Sequence, residues 1–264
     1  MKHSLIASAA AVSVILLPGW SAAWAQENRD LRVRVGLGAQ LRPAFVGADD
    51  RDVSPLVDVD IARGTNPFRF EAEDDSFAIP LISKNGFSAG PAANLSSKRK
   101  ESDVGAPLGK IPRTFEAGVF AEQFFGGESF RLRGELLKGI GGHEGLIGSV
   151  GADKVWRNGD KYVFSVGPRL LFSNARYQRA YFGVDSDAAL ASGLPVYRPD
   201  GGVHALGLAS GLTYELQPRW GLFGFARYER LVGDAAKSPV VRELGSRNQV
   251  SAGAGLSYTF TIRR

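Results

Sequence analysis

The stretch "QVSAGAGLSYTF", Gln249 to Phe260, separates into two series when every second residue is read. Val250, Ala252, Ala254, Leu256, Tyr258 and Phe260 form one; Gln249, Ser251, Gly253, Gly255, Ser257 and Thr259 form the other. A period of two is the mark of a β-strand, whose side chains alternate between two faces. One face here is apolar and the other small and polar. The same pattern returns at Leu31–Leu41, Val53–Ile61, Phe87–Leu95, Phe115–Phe124, Phe130–Leu136, Leu146–Trp156, Tyr162–Phe172, Val203–Tyr214 and Trp220–Leu231, with weaker copies at Phe68–Ala72 and Phe77–Leu81. About twelve strands result, the even number that a bacterial outer-membrane barrel uses.

A water-soluble two-sheet sandwich would alternate in the same way, with its apolar faces turned to a core. Three features favour a transmembrane antiparallel up-and-down β-barrel instead. Most strands reach the ~9–11 residues that cross a bilayer at a tilt. Aromatic residues stand near strand ends, where interfacial girdles sit: Trp156, Tyr162, Phe172, Trp220, Tyr228, Tyr258 and Phe260. The connectors also differ by side. Short ones such as "RGTN", "SKNG", "FGGES", "RNGD" and "QPR" suit periplasmic turns, and long ones from Arg42, Ser96, Ser173 and Val232 suit extracellular loops. The connections at "EDD" and "GIGGHEG" are read as short outer ones.

The chain opens with Lys2, an apolar run from Leu5 to Leu17 and the small-x-small triplet Ala23-Trp24-Ala25. This is the pattern of a secretory leader, with cleavage expected after Ala25. Residues 1–25 are therefore expected to be removed, and 26–264 to form one barrel domain in the bacterial outer membrane. Gly is 33 of 264 residues, well above the typical ~7%, and this weakens any helical reading. Cys is absent, so neither a disulfide nor a lipidated cysteine is available. The net charge of +5 is dispersed between both signs. No compact basic block of the kind that tracks nucleic acid is present.

An Arg on the lipid face at mid-depth costs ~2–4 kcal/mol. Arg32, Arg34, Arg131, Arg133, Arg169 and Arg227 are therefore expected to point into the lumen. Asp58, Asp60, Glu71, Glu116, Glu135, Asp153 and Glu229 share the inferred inner faces. These charges would either line a pore or pair across a closed lumen, and the sequence leaves both open.

Several stretches resemble the MltA-interacting protein (MipA)/OmpV family: "RPAFVGADDRDVSPLVDV" from Arg42, "YFGVDSDAALASGLPVYRPDGG" from Tyr181 and "YERLVGDAAKSPVVRELGSRNQVSAGAGLSYTF" from Tyr228. Weaker similarity, as at "GGHEGLIGSVGADKVW", extends it over nearly the whole mature chain. The resemblance implies an outer-membrane barrel that scaffolds a murein lytic transglycosylase beside a murein synthase; other members are porin-like or surface adhesins. It transfers no residue-level binding motif. Tyr258 and Phe260 resemble the last-strand signal read by the barrel-assembly machinery, although "TIRR" follows where a terminal Phe is usual.

Catalytic chemistry finds little footing. His143 and His204 lie on different segments, which argues against a shared metal site, and each is expected to be solvated or interfacial. "GLGAQL" from Gly36 sits inside a strand with no helix after it, so it is no dinucleotide site. A Gly-x-Ser-x-Gly elbow is missing. No cofactor or metal is expected. The acidic groups Asp49, Asp50, Asp52 and Glu71, Glu73, Asp74, Asp75 are read as solvated outer loops, because the spacing of a calcium loop is absent. Lys98, Arg99 and Lys100 fall in an expected outer loop, where they either meet lipopolysaccharide phosphates or stay solvated.

Overall fold

A computed structural model describes residues 30–263; the expected leader, 1–25, lies outside them. The first hairpin joins β1 (Leu31–Pro43) to β2 (Arg51–Arg63). After a gap come β3 (Phe77–Ala78), β4 (Ile82–Lys84) and β5 (Phe87–Ser96). Then follow β6 (Thr114–Phe125), β7 (Phe130–Ile140), β8 (Leu146–Asn158) and β9 (Tyr162–Ser173). The last three are β10 (Gly202–Gln217), β11 (Trp220–Leu231) and β12 (Asn248–Ile262). All belong to one 12-stranded antiparallel sheet in the order β2-β1-β12-β11-β10-β9-β8-β7-β6-β5-β3, with β4 also on β5. The first and last long strands meet in an eleven-residue register from Leu31↔Ile262 to Leu41↔Ala252, which curls the sheet into a barrel wall.

The inferred faces hold. On β12 the apolar series Val250, Ala252, Ala254, Leu256 and Phe260 is exposed outside, while Gln249, Ser251 and Ser257 are buried inside. Leu37 on β1 is 64% exposed, beside buried Gly36. Exposed Val57, Val59 and Ile61 alternate with the inward Asp58 and Asp60 of β2. A wall with greasy side chains outside and charges inside is inverted relative to a water-soluble protein. Only hydrocarbon makes that arrangement favourable.

Two details differ from the expected strand set. β3 and β4 are two halves of one strand broken around Pro80, continued by Ile79 N donating to Pro91 O and Leu81 N to Ala89 O, at 3.0 Å each. Phe68–Ala72, expected as a strand, is not in the sheet at all. Consequently the two sheet edges, β2 and β3, stand at opposite ends of the strand order, and no ladder joins them among the described residues.

The long loops are not loose. They carry α1 (Glu101–Val104), α2 (Ala175–Phe182), α3 (Ser186–Ser192), α4 (Gly233–Lys237) and α5 (Pro239–Glu243). Asn174 caps α2 by accepting from Tyr177 N, and Asp185 caps α3 by accepting from Ala188 N. Ser238 accepts from Val240 N at the start of α5, whose first residue is the N1-compatible Pro239. Its hydroxyl also donates to Phe182 O at 2.7 Å, joining two loops. Phe182, Tyr177, Tyr181, Ile111, Leu231, Ala235 and Val241 form one buried cluster, and Phe45, Ala48, Val104, Val184 and Val240 a second. The outer end of the barrel therefore carries a cap with its own apolar core.

Candidate functional site

The concave side of the sheet holds the site. Residues 64–76, between β2 and β3, cross it instead of extending the wall. Near the short-turn end Phe68 is buried, with the guanidinium groups of Arg32 and Arg34 over its ring at 4.8 and 4.6 Å. Its N–H donates to Asp160 Oδ1 at 2.9 Å, and its carbonyl accepts from Arg157 at 2.9 Å. Arg32 in turn pairs with Asp160 at 2.8 Å and Arg34 with Asp60 at 2.6 Å. Deeper in, Phe70 lies 4.7 Å beneath the Arg131 guanidinium.

The far half of the segment is held by charge. Asp75 pairs with Arg131, and Asp74 with Arg169 at 2.6 Å. Arg131 also reaches Asp153 at 2.7 Å, and Arg169 reaches the same carboxylate at 2.8 Å. Arg133 spans Glu122 at 3.1 Å and Glu135, with its guanidinium 4.4 Å over Phe120. Ser76 donates its hydroxyl to Glu135 at 2.7 Å, and Arg69 pairs with Glu122. Arg131, Arg133 and Arg169 thus each meet at least two carboxylates, which is what allows such charges to stay out of water.

The geometry corrects the reading of "EAEDD" as an outer loop. Asp74 and Asp75 lie in the lumen because Arg131 and Arg169 offer them partners that solvent-facing loops lack. Glu71 does face the lumen, but from the crossing segment and not from the wall. Asp58 and Glu229 line the same space, and Arg227 stands 3.7 Å from Glu229. Glu122 and Asp160 escaped the sequence reading. Glu122 shares the even-numbered face of β6 with Glu116, so period two alone identifies it. Asp160 sits in the turn "RNGD", where nothing local signals that it faces inward.

A cavity of about 560 Å³ runs beside the crossing segment, from Arg34, Phe68 and Asp160 near the short-turn end to Phe45, Tyr177, Tyr181 and His204 at the cap. His143 and His204 are both buried, not solvated or interfacial. His143 Nδ1 accepts from Gly145 N at 2.9 Å, so its proton resides on Nε2, which donates to Glu116 at 2.9 Å. Asn94 and Ser96 donate to the same carboxylate at 2.8 and 2.5 Å. Gly139 makes this possible: a Cβ there would meet the His143 ring at 2.3 Å. His204 Nδ1 is 3.0 Å from Ser173 Oγ. Tyr177 stands between the two imidazoles, with ring centroids 4.8 Å from His143 and 5.4 Å from His204. Burial pushes the Tyr181 phenol up to about 12 and that of Tyr177 well above its usual value.

The aromatic residues fall at both rims of the outer face. Trp156, Tyr162, Trp220, Tyr258 and Phe260 stand towards the short-turn end, Phe172 and Tyr228 towards the loop end. Trp220 and Tyr258 pack edge to face at 5.0 Å. Of the basic trio in the outer loop, Lys98 and Lys100 are exposed, but Arg99 is not available for lipopolysaccharide. Its side chain is buried in the cap, donating to the carbonyls of Tyr181 at 3.1 Å and Leu108 at 3.2 Å. Without a carboxylate beside it, burial lowers its pKa.

Solved structures with similar architecture include an outer-membrane channel of the COG4313 group from Pseudomonas putida F1, at 11% identity, 93% coverage of this chain, 100% of that chain and a TM-score of 0.43. An anion-selective porin from Comamonas acidovorans matches at 11% identity over 88% and 98%, with a TM-score of 0.37. The translocator domain of the autotransporter NalP from Neisseria meningitidis matches at 16% over 89% and 90%, with a TM-score of 0.37. A comparison with curated proteins returns no match. The family model described as MltA-interacting protein MipA matches residues 35–260, from within β1 to within β12. The chain is a bacterial outer-membrane β-barrel and belongs to the MipA family.

Proposed function

We propose that the protein is a non-enzymatic scaffold of the outer membrane, docking a murein lytic transglycosylase, and beside it a murein synthase, at its periplasmic rim. The carrying observation is the crossed lumen. A segment tied to the wall by Arg131, Arg169 and Glu135 runs through the lumen and narrows the path a passive solute channel would need. Function is then assigned to the ends of the barrel. The name of the family supports a transglycosylase as the partner. The short-turn end exposes Arg63, Lys84, Lys161, Arg219 and Arg263, a basic rim suited to an acidic protein face. At the other end, Lys98 and Lys100 are placed to meet lipopolysaccharide phosphates. The barrel-assembly machinery would read the aromatic finish of β12 at Tyr258 and Phe260.

The test is capture of purified transglycosylase by the reconstituted protein, repeated with Arg63, Lys161 and Arg219 changed to Glu. Binding that weakens with these charges and with added salt is expected. The rival reading, passage of small polar solutes, draws on the cavity of about 560 Å³. Reproducible single-channel steps from the unmodified protein, with no capture of the enzyme, would replace the scaffold by the channel. A surface adhesin would instead lose attachment when the cap loop 173–202 is removed.

A further inference from the structure

We propose that residues 66–73 are a movable further wall strand, the twelfth when β3 and β4 are counted as one, able to leave the lumen and close the seam between β2 and the β3–β4 edge. The first argument is direction. Every neighbour in the sheet is antiparallel, so counting round from β1 makes β2 and β3 run the same way. They cannot form an antiparallel pair with each other. A strand running the other way belongs between them, and 66–73 matches in length the edge from Phe77 to Lys84 that it would join.

The second argument is pattern. In "PFRFEAE", Phe68, Phe70 and Ala72 alternate with Arg69, Glu71 and Glu73. As a strand, this segment would place its apolar series outward and its charges in the lumen, as the other wall strands do at mid-depth. The hairpin turn that would launch it is already formed. Asn66 N donates to Arg63 O at 3.1 Å across Gly64-Thr65, with Gly64 at a φ of 58°. A left-handed glycine at the first central position suits a tight β-hairpin. Extending that register sets Phe68 beside Ile61, Phe70 beside Val59, and Arg69 beside Asp60. On the other flank Phe77, Ile79 and Leu81 are 73%, 51% and 75% exposed, and Val59 and Ile61 are each 55% exposed. Every new apolar pair therefore falls on the lipid face.

The third argument is energetic balance. An unpaired strand edge in hydrocarbon is costly, because its N–H and C=O groups have no water to bond. Closing the seam removes that cost. Against it stand the ion pairs of Asp74 and Asp75 with Arg169 and Arg131, the Arg69–Glu122 pair and the bonds of the Phe68 backbone to Asp160 and Arg157, which together hold the segment inside. Two arrangements with opposed terms of this size make a bistable element. Exchange would close the wall and open the lumen to the periplasm beneath an intact cap.

The chain has no cysteine, so a pair of introduced thiols reports the exchange cleanly. Phe70 is buried in the lumen while Val59 is exposed on the outer face. A disulfide between Val59→Cys and Phe70→Cys therefore forms only in the exchanged state. Val35→Cys with Val59→Cys, which face each other across β1 and β2, is the control for a folded, oxidisable wall. In liposomes under mild oxidation, V59C/F70C should lose both maleimide-reactive thiols. Adding D74N and D75N, which release the latch, should raise the rate of loss by about tenfold. If the control oxidises while V59C/F70C keeps both thiols, with or without the latch substitutions, the proposal is overturned. A rate of loss indifferent to D74N and D75N overturns it as well.

Discussion

At the scale of single residues the molecule is organised by guanidinium groups. Arg131 is the hub, touching Asp75, Asp153 and Glu122 while almost wholly enclosed. Replacing it by Ala leaves three carboxylates facing each other, and losing one partner of a buried ion pair costs about 3–5 kcal/mol. The check is urea unfolding in detergent, with Lys154→Ala, an outward-facing residue, expected to cost far less. Tyr181 and Tyr177 give a pH signature in the cap. Their folded pKa values lie above the unfolded value of 10.0. Their contribution is therefore complete below about pH 10 and is lost as pH rises towards 12. Limited proteolysis across this range should show the cap loops opening, and the Tyr177→Phe, Tyr181→Phe double variant should move that opening to higher pH. Period two made most of the lumen charges legible in advance. It failed for Asp74 and Asp75, because the arginines that hold them are 95 and 56 residues away in the chain.

At the scale of elements, each strand tests the membrane reading separately. Leu37→Arg, at mid-strand on the lipid face of β1, should destabilise the barrel by about 2–4 kcal/mol. Refolding into vesicles measures this, and Gln40→Arg, on the inner face, is expected to be tolerated. The cap is the other element. Phe182 is fully buried between α2 and the loop that carries α4 and α5. Truncating it to Ala removes about 3–5 kcal/mol of packing. Protease cleavage in 232–247 should increase while the strands stay protected. The stretches from Arg42, Tyr181 and Tyr228 that carry the family resemblance supply Phe45, Ala48, Phe182, Val184, Val240 and Val241 to this cap. Stretches far apart in sequence thus meet in one packed object, although their composition reads as ordinary polar loop.

For the whole molecule the decisive property is the solvent of its outer face. With Leu37, Val57, Leu136, Leu208, Leu222 and Leu256 exposed around the wall, the protein should remain folded in detergent or lipid and precipitate or unfold when either is removed. Sedimentation after detergent exchange checks this directly. The alternation of side chains by itself determined the strand class, the face each strand turns to hydrocarbon and the inward aim of the arginines, because a misplaced charge in lipid leaves a sequence almost no freedom. Only the tertiary structure decided that residues 64–76 occupy the lumen in place of a seat in the wall, and that the outer loops close into a cap. Both outcomes depend on partners remote in the chain. A local pattern records which face a side chain prefers, but not which distant charge or apolar surface will meet it.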